Sequence, residues 1–242
     1  MRASLKAERI SKRFGQRQAL REASFVVRTG EVVGLLGPNG AGKTTAFYMV
    51  AGLLSCDAGA ISLDGEDLTH LPVHRRAMLG LGYLPQEPSI FRKLSVEQNI
   101  LAILELRSGL GRGERREELH RLLDEFQLHK VRKSPGASLS GGERRRVEIA
   151  RTLARTPRYL LLDEPFAGID PISVTEIQGI IGNLSQRGIG VLITDHNVRE
   201  TLGICNRGYI LHEGSVIASG EPKELLANPE VRSVYLGEAF RL

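Results

Sequence analysis

Apolar and polar positions alternate along the first 30 residues, so Leu5 to Ile10 and Ala23 to Val27 read as half-buried strands joined by a turn around Phe14-Gly15-Gln16. Together they predict an antiparallel layer at the N-terminal end. The stretch from Glu31 to Leu36 is nearly all apolar, the pattern of a strand covered on both faces. A helix from about Gly42 to Leu53 follows, then a short strand between the turns of Asp57 to Gly65. Residues 66–80 are polar and partly helical, and a further short apolar strand runs from Gly82 to Gln86.

From residue 87 the period changes. Ser95-Val-Glu-Gln98 is a capping box that opens an amphipathic helix to about Arg107. Leu119, Leu122, Leu123 and Phe126 repeat at three and four on a second helix, from about Gly113 to His129. Residues 87–136 therefore read as inserted helices, flanked by Pro88 and by Pro135-Gly136. Leu139-Ser-Gly-Gly-Glu143 opens the helix that carries Val147, Ala150, Leu153 and Ala154, and Tyr159 to Asp163 is a buried strand. Ser173-Val-Thr-Glu176 reads as a second capping box, starting a helix with Ile177, Ile180, Ile181 and Leu184 inward. Gly190 to Thr194 is the next core strand, and two short strands around Glu213-Gly214 precede a last helix from Pro222 to Ala227. Strands alternating with helices define an α/β protein.

Chemistry enters at the ends of the strands. The residues Gly37-Pro38-Asn39-Gly40-Ala41-Gly42-Lys43-Thr44-Thr45 fit G-x-x-x-x-G-K-[ST] between a strand and a helix, the context this phosphate loop requires. Glycine recurs because backbone N–H groups can surround a phosphate only where side chains do not block it. The following helix turns its free amides and positive end to the same anion. Lys43 would reach the terminal phosphates and the Thr44 hydroxyl would ligate Mg²⁺. Ser140, Gly141 and Gly142 make a second glycine-rich helix start, about a hundred residues on, so one chain carries two phosphate sockets. Asp163 ends a buried strand as a metal ligand, direct or through water, and Glu164 could orient or deprotonate an attacking water. His196 stands with Asp195 at another strand end, where ligands bind in such sheets. Gln86 could offer its amide oxygen to a metal or to water. Phe14, an aromatic in a turn, either covers something flat or tucks under the loop.

With 41% hydrophobic and 25% charged residues among 242, the chain has the composition of a globular protein with a sizeable core. No apolar stretch approaches the roughly 18 residues that cross a bilayer, and the N-terminus has no signal-peptide core. The chain is expected in the cytoplasm, with membrane association only through a partner. Its net charge of +5 falls in clusters such as Arg112 to Arg116 and Arg144 to Arg146, two of them interleaved with glutamates and without an aromatic platform, which argues against nucleic acid. Cys56 and Cys205 are isolated thiols without metal spacing.

Taken together, Gly37 to Thr45, Gln86, Leu139 to Glu143, Leu160-Leu-Leu-Asp-Glu-Pro165, Gly168-Ile169-Asp170 and His196 resemble the ABC ATPases in order and spacing over nearly the whole chain. The resemblance implies a P-loop NTPase fold with a RecA-like mixed-sheet core (1–86 and 157–242), an N-terminal antiparallel β subdomain and an inserted, signature-bearing helical subdomain (87–156). It gives Phe14 the adenine, where tyrosine is the more usual residue. It makes Gln86 a metal-sensing residue in the loop that communicates with a membrane partner. It also implies ATP and Mg²⁺ as ligands and a head-to-tail homodimer, in which Ser140, Gly141 and Gly142 close on the nucleotide of the other copy, with Asp170 near the junction.

Within the family, longer strings at 82–92, 140–151, 163–173, 195–201 and 234–242 resemble the ATPases of lipopolysaccharide export. That resemblance implies two transmembrane permease subunits, the extractor pair of that machinery, seated in a groove that includes Phe91 and Arg92. The chain would lie on the cytoplasmic face of the inner membrane, and the transported lipid would never touch it. The nearest alternative is the ATPase of a branched-chain amino-acid importer, against which the ending Val234 to Leu242 argues. Non-transport ABC proteins acting on DNA or ribosomes usually carry a long coiled-coil insertion or a second cassette, and 242 residues have room for neither.

Overall fold

The computed structural model of the chain describes residues 3–236. β1 (Ser4–Phe14) and β2 (Arg17–Arg28) form an antiparallel hairpin whose turn uses Gly15 at a φ of 57°. Next come β3 (Val32–Leu36), α1 (Lys43–Ala51), β4 (Ala58–Leu63), the short β5 (Glu66–Asp67), α2 (Val73–Met78) and β6 (Leu81–Leu84). Helices α3 (Val96–Leu104), α4 (Arg112–Glu125) and α5 (Gly141–Leu153) lead to β7 (Tyr159–Asp163). Then α6 (Pro171–Gln186), β8 (Gly190–Thr194), α7 (Val198–Leu202), β9 (Arg207–His212), β10 (Ser215–Gly220) and α8 (Pro222–Ala227) complete the main elements.

The strands form two sheets, ordered β2-β1-β4-β5 and β10-β9-β3-β8-β7-β6. The first is antiparallel, and the second is parallel from β9 to β6 with β10 antiparallel at its edge. Both faces of the parallel sheet are covered, which is why β3, β7 and β8 are buried at every residue. One apolar cluster joins the antiparallel sheet to α1 and the inner sheet through Leu5, Ile10, Phe47, Leu35 and Leu161. A second runs from Ile100, Leu122 and Phe126 of the inserted helices to Leu160, Ile177 and Ile193. The inserted helices thus share their core with the sheet.

Several boundaries differ from the sequence reading, and three of them change the place of a residue singled out there. β6 stops at Leu84, so Gln86 lies in the loop beyond it and is exposed. α4 ends at Glu125, capped by Phe126, and His129 falls in a separate 3₁₀ turn. Ser173 is not an N-cap: α6 begins at Pro171, capped by Asp170, which accepts from the Ser173 N–H at 3.0 Å. Proline at the first helical position already has the helical φ and lacks the N–H that would go unpaired there, and this signal outweighs the later serine. The Ser95–Gln98 capping box forms as read, with both reciprocal bonds present.

Gly37 shows how tightly the loop after β3 is built. It sits at a φ of 148°, and a Cβ on it would meet the Leu211 carbonyl oxygen at 2.1 Å. Gly37→Ala is expected to destabilise the fold by at least about 2 kcal/mol, read as a lower urea midpoint with an unchanged slope. A midpoint like the wild type would show that β9 yields without loss.

Candidate nucleotide site

The strand order determines the site. β3, β8 and β7 are parallel neighbours, so the loop 37–42, the pair Asp195-His196 and the pair Asp163-Glu164 leave the sheet at the same edge. Ligands bind at that edge of open α/β sheets because the strand ends there leave a crevice between diverging connections. A cavity of about 380 Å³ opens there, lined by Phe14, Arg17, Asn39, Gly40, Gly42, Lys43, Thr44, Thr45 and Glu164, with Ala19. Phe14, 49% exposed, is therefore a wall of the cavity and is not tucked under the loop.

Gly40 and Gly42 adopt positive φ values of 80° and 106°, and a Cβ on Gly42 would meet the Ala19 carbonyl oxygen at 2.6 Å. Only glycine lets the loop close against β2 there. Gly37 and Ala41 are buried, and Pro38 is half-buried beneath the exposed Asn39 and Gly40. Lys43 is buried at the base of the loop, its Nζ donating to the Gly37 and Pro38 carbonyls at 2.6 and 3.0 Å. Burial holds its pKa below the usual lysine value, opposed by Glu164 and Asp195. A partly desolvated ammonium on carbonyls is a ready partner for a polyphosphate, which would satisfy it more strongly.

Three carboxylates crowd the neighbouring strand ends. Asp163 is 3% exposed, and burial, reinforced by the charge of Glu164, pushes its pKa up to about 6. The Tyr83 hydroxyl donates to its Oδ2 at 3.4 Å. Asp195 is also buried and raised by desolvation, but it is better satisfied, accepting from the Phe166 and Asn197 N–H groups at 3.1 and 2.8 Å. Asp195 is thus the strut of the following turn, a role the sequence reading left unassigned. Glu164 is half-buried at a φ of 45°, a left-handed conformation that is strained for a side chain with a Cβ and marks functional positions. Its Oε2 accepts from Gln86 Nε2 at 2.7 Å and lies 3.2 Å from His196 Nδ1. Residues from two other loops therefore converge on this carboxylate.

Ser140, Gly141 and Gly142 lie elsewhere; none lines this cavity. Ser140 caps α5 by accepting from the Glu143 N–H, and Glu143 returns a bond to the Ser140 N–H. Two amides of the second socket are thereby satisfied within the chain, and only those of the paired glycines remain for a ligand. Gly142 has a further reason to be glycine: a Cβ on it would sit 2.2 Å from Ser173 Oγ at the start of α6. Gly141 abuts Gly168 and Ile169, which places the second socket beside Asp170.

A separate, more apolar groove of about 290 Å³ is lined by Val73, Ala77, Tyr83, Phe91, Ile103 and Arg151, among others. Phe91 is exposed in it, with the Arg151 guanidinium 4.8 Å over its ring. Asn99 fixes the loop beneath by bonding both the N–H and the carbonyl of Phe91. Arg92, next in the chain, is exposed and is not among the residues lining this groove, whose wall beside Phe91 takes its cation from Arg151 of α5.

Comparison with known proteins agrees with this geometry. The ABC transporter profile matches residues 20–167. A branched-chain amino acid ATP-binding cassette transporter profile matches residues 215–241, so the C-terminal string does not by itself set the chain apart from importers. Much of that string, 237–242, lies outside the described residues. Over 238 residues the chain is 60% identical to the lipopolysaccharide export system ATP-binding protein LptB of Acidithiobacillus ferridurans, covering 98% of each. It is 55% identical over 240 residues to the protein of that name in Escherichia coli K12, covering 99% of this chain and 100% of that one. An ATP-binding cassette of an ABC transporter, solved in its ADP conformation, superposes with a TM-score of 0.86 at 29% identity, covering 98% of this chain and 100% of that one. Phosphate loop, strand-end carboxylates and full-length likeness point the same way: the chain belongs to the ABC transporter family, as one of its ATP-binding ATPase cassettes.

Proposed function

We propose that this chain is the Mg²⁺-dependent ATPase that powers lipopolysaccharide export, working as a homodimer beneath two LptF/LptG-like transmembrane permeases. The observation that carries the reading is 55–60% identity, across essentially the full length of both chains, to proteins named for that system. Importer cassettes remain the nearest alternative, because the C-terminal profile match is to them.

The donor set fits Mg²⁺. Thr44, Asp163 and the Gln86 amide oxygen are hard oxygen ligands, few in number, as suits an ion that keeps waters and takes phosphate oxygens. Burial first, and then the charge of Glu164, disfavour the Asp163 carboxylate, and a divalent cation beside it would offset both. When bound, the ion would neutralise charge on the β- and γ-phosphates. The loop amides, Lys43 and Thr45 would hold the nucleotide with Phe14 on its base, Glu164 would orient the attacking water, and His196 would steady the γ-phosphate. The second socket lies outside this cavity, so a head-to-tail partner copy would supply Ser140, Gly141 and Gly142 to it, giving two equivalent sites.

Among the described residues no helix is long and apolar enough to cross a membrane. Membrane attachment would therefore run through partners in the Phe91 groove, on the cytoplasmic face of the inner membrane, with no contact to the lipid cargo and none to nucleic acid. The test is affinity purification of the tagged chain from detergent-extracted membranes. Recovery of the export permeases is expected, with recovery falling at least about tenfold for Phe91→Asp, which places a charge in an apolar contact. ATP binding measured on the same preparation verifies its folding. Recovery of importer permeases or ribosomes instead would overturn the export assignment.

A further inference from the structure

The cavity contains a cation that neither the phosphate-loop motif nor the strand-end residues account for. Arg17 opens β2 directly across the hairpin from Phe14, and cross-strand partners project to the same face of a ladder. Its Nη2 donates to the Gly40 carbonyl at 3.4 Å, so its guanidinium reaches from the hairpin to the crest of the phosphate loop. The other cations of the hairpin end are engaged: Lys12 pairs with Asp57 at 2.7 Å, and Arg13 Nε donates to Gln18. No carboxylate pairs with Arg17 among the described residues, and the guanidinium has several donors beyond the single long bond it makes.

The two cations of the cavity stand at different ends. Lys43 is buried at the base of the loop, on the side of Glu164 and Asp195. Arg17 stands beside the aromatic wall. A ligand with its base on Phe14 and its terminal phosphate on Lys43 must pass its base-proximal phosphate beside the Arg17 guanidinium. We propose that Arg17 is a nucleotide-binding residue that grips the base-proximal phosphate and therefore holds ATP and ADP alike. A planar fork suits phosphate oxygens, and with the Gly40 carbonyl already aligning one edge, little side-chain freedom remains to be lost on binding.

This inference rests on the ATPase reading of the site and gives Arg17 a task distinct from Lys43. Lys43 serves the phosphates that react, whereas Arg17 serves the part of the ligand that persists after hydrolysis. Uniform binding of this kind strengthens substrate and product equally, and its loss falls on KM. The test is calorimetric titration of the full-length chain with Mg-ATP and with Mg-ADP, for the wild type, Arg17→Ala and Arg17→Lys. Arg17→Ala is expected to raise both dissociation constants by the same factor, about tenfold, and to flatten their dependence on salt, since one charge-assisted contact to phosphate is gone. Arg17→Lys should recover part of the loss, because it restores the charge without the fork. The side chain is exposed, so the fold should survive its removal. Unchanged constants in Arg17→Ala, or a loss confined to ATP, would overturn the assignment. A wild-type chain that binds neither nucleotide would instead sink the ATPase reading itself, which keeps the two failures distinct.

Discussion

Glu164→Gln is expected to bind ATP about as well as the wild type and to hydrolyse it at least about 100-fold more slowly, the usual weight of a positioned general base. Glutamine keeps the shape of the side chain and an oxygen for the Gln86 amide, but loses the charge and the proton affinity. Glu164 is the carboxylate on which Gln86 and His196 converge, at 2.7 and 3.2 Å, and its left-handed backbone aims it from the end of β7 into the cavity. Phosphate release is the direct measurement, and a near-normal rate would remove Glu164 from the mechanism. Because turnover would no longer empty the shared sites, the variant should also run as a dimer on a sizing column at saturating ATP. A monomer under those conditions would count against a site built from two copies.

Asp163→Asn carries the second large effect, and its two consequences have opposite sign. Hydrolysis is expected to fall at least about 100-fold, since the proposed metal ligand becomes neutral and binds a divalent ion weakly. The nucleotide-free protein, by contrast, should become more stable at neutral pH. Asp163 has a folded pKa of about 6 against 3.8 for the free side chain, because burial and then Glu164 disfavour its charge. A raised carboxylate pKa means that the folded state holds the proton more firmly than the unfolded one, so stability falls as the pH climbs from about 4 to 6. Above that window the penalty is fully present, on the order of 2–3 kcal/mol at 1.36 kcal/mol per pKa unit. Asparagine does not carry it. The melting temperature of Asp163→Asn should therefore exceed that of the wild type by roughly 5 °C at pH 7.5 and converge with it near pH 4. A variant that melts earlier at pH 7.5 would show that the Asp163 charge is already compensated. Mg²⁺ with ATP should close the gap from the wild-type side, because the ligand stabilises only the chain that holds it.

Both experiments concern a site whose parts were individually visible in the sequence. The loop 37–45 announces itself, because a glycine pattern between an apolar run and a helix has one strong physical use. The strand-end positions of Asp163, Glu164 and His196 followed from apolar runs that stop at polar residues. The Ser95–Gln98 capping box, the helix at Pro222–Ala227 and the hairpin turn at Gly15 were equally local and came out as read. Each depends on neighbours within a few residues, which is why a linear pattern carries it.

What failed or stayed hidden is non-local. Ser173 looked like a cap, but Pro171 and Asp170 start α6 earlier, and the Ser173 side chain instead packs against Gly142, thirty-one positions away in sequence. Arg151 carried no signal; the packing of α5 against the loop before α3 puts its guanidinium on Phe91, sixty positions away in sequence. Arg17 carried no motif; it joins the nucleotide cavity only because the hairpin folds its first β2 residue over Gly40. The sequence by itself determined the alternation of strands and helices, the phosphate loop and the identity of the strand-end acids. Only the tertiary structure decided that Gln86 and His196 meet on Glu164, that burial and Glu164 raise the Asp163 pKa to about 6, and that the second glycine socket lies outside the cavity of the first. The reason is physical. Propensity and periodicity act over a few residues, whereas desolvation, charge proximity and the facing of two helix ends depend on which distant strands the sheet makes neighbours.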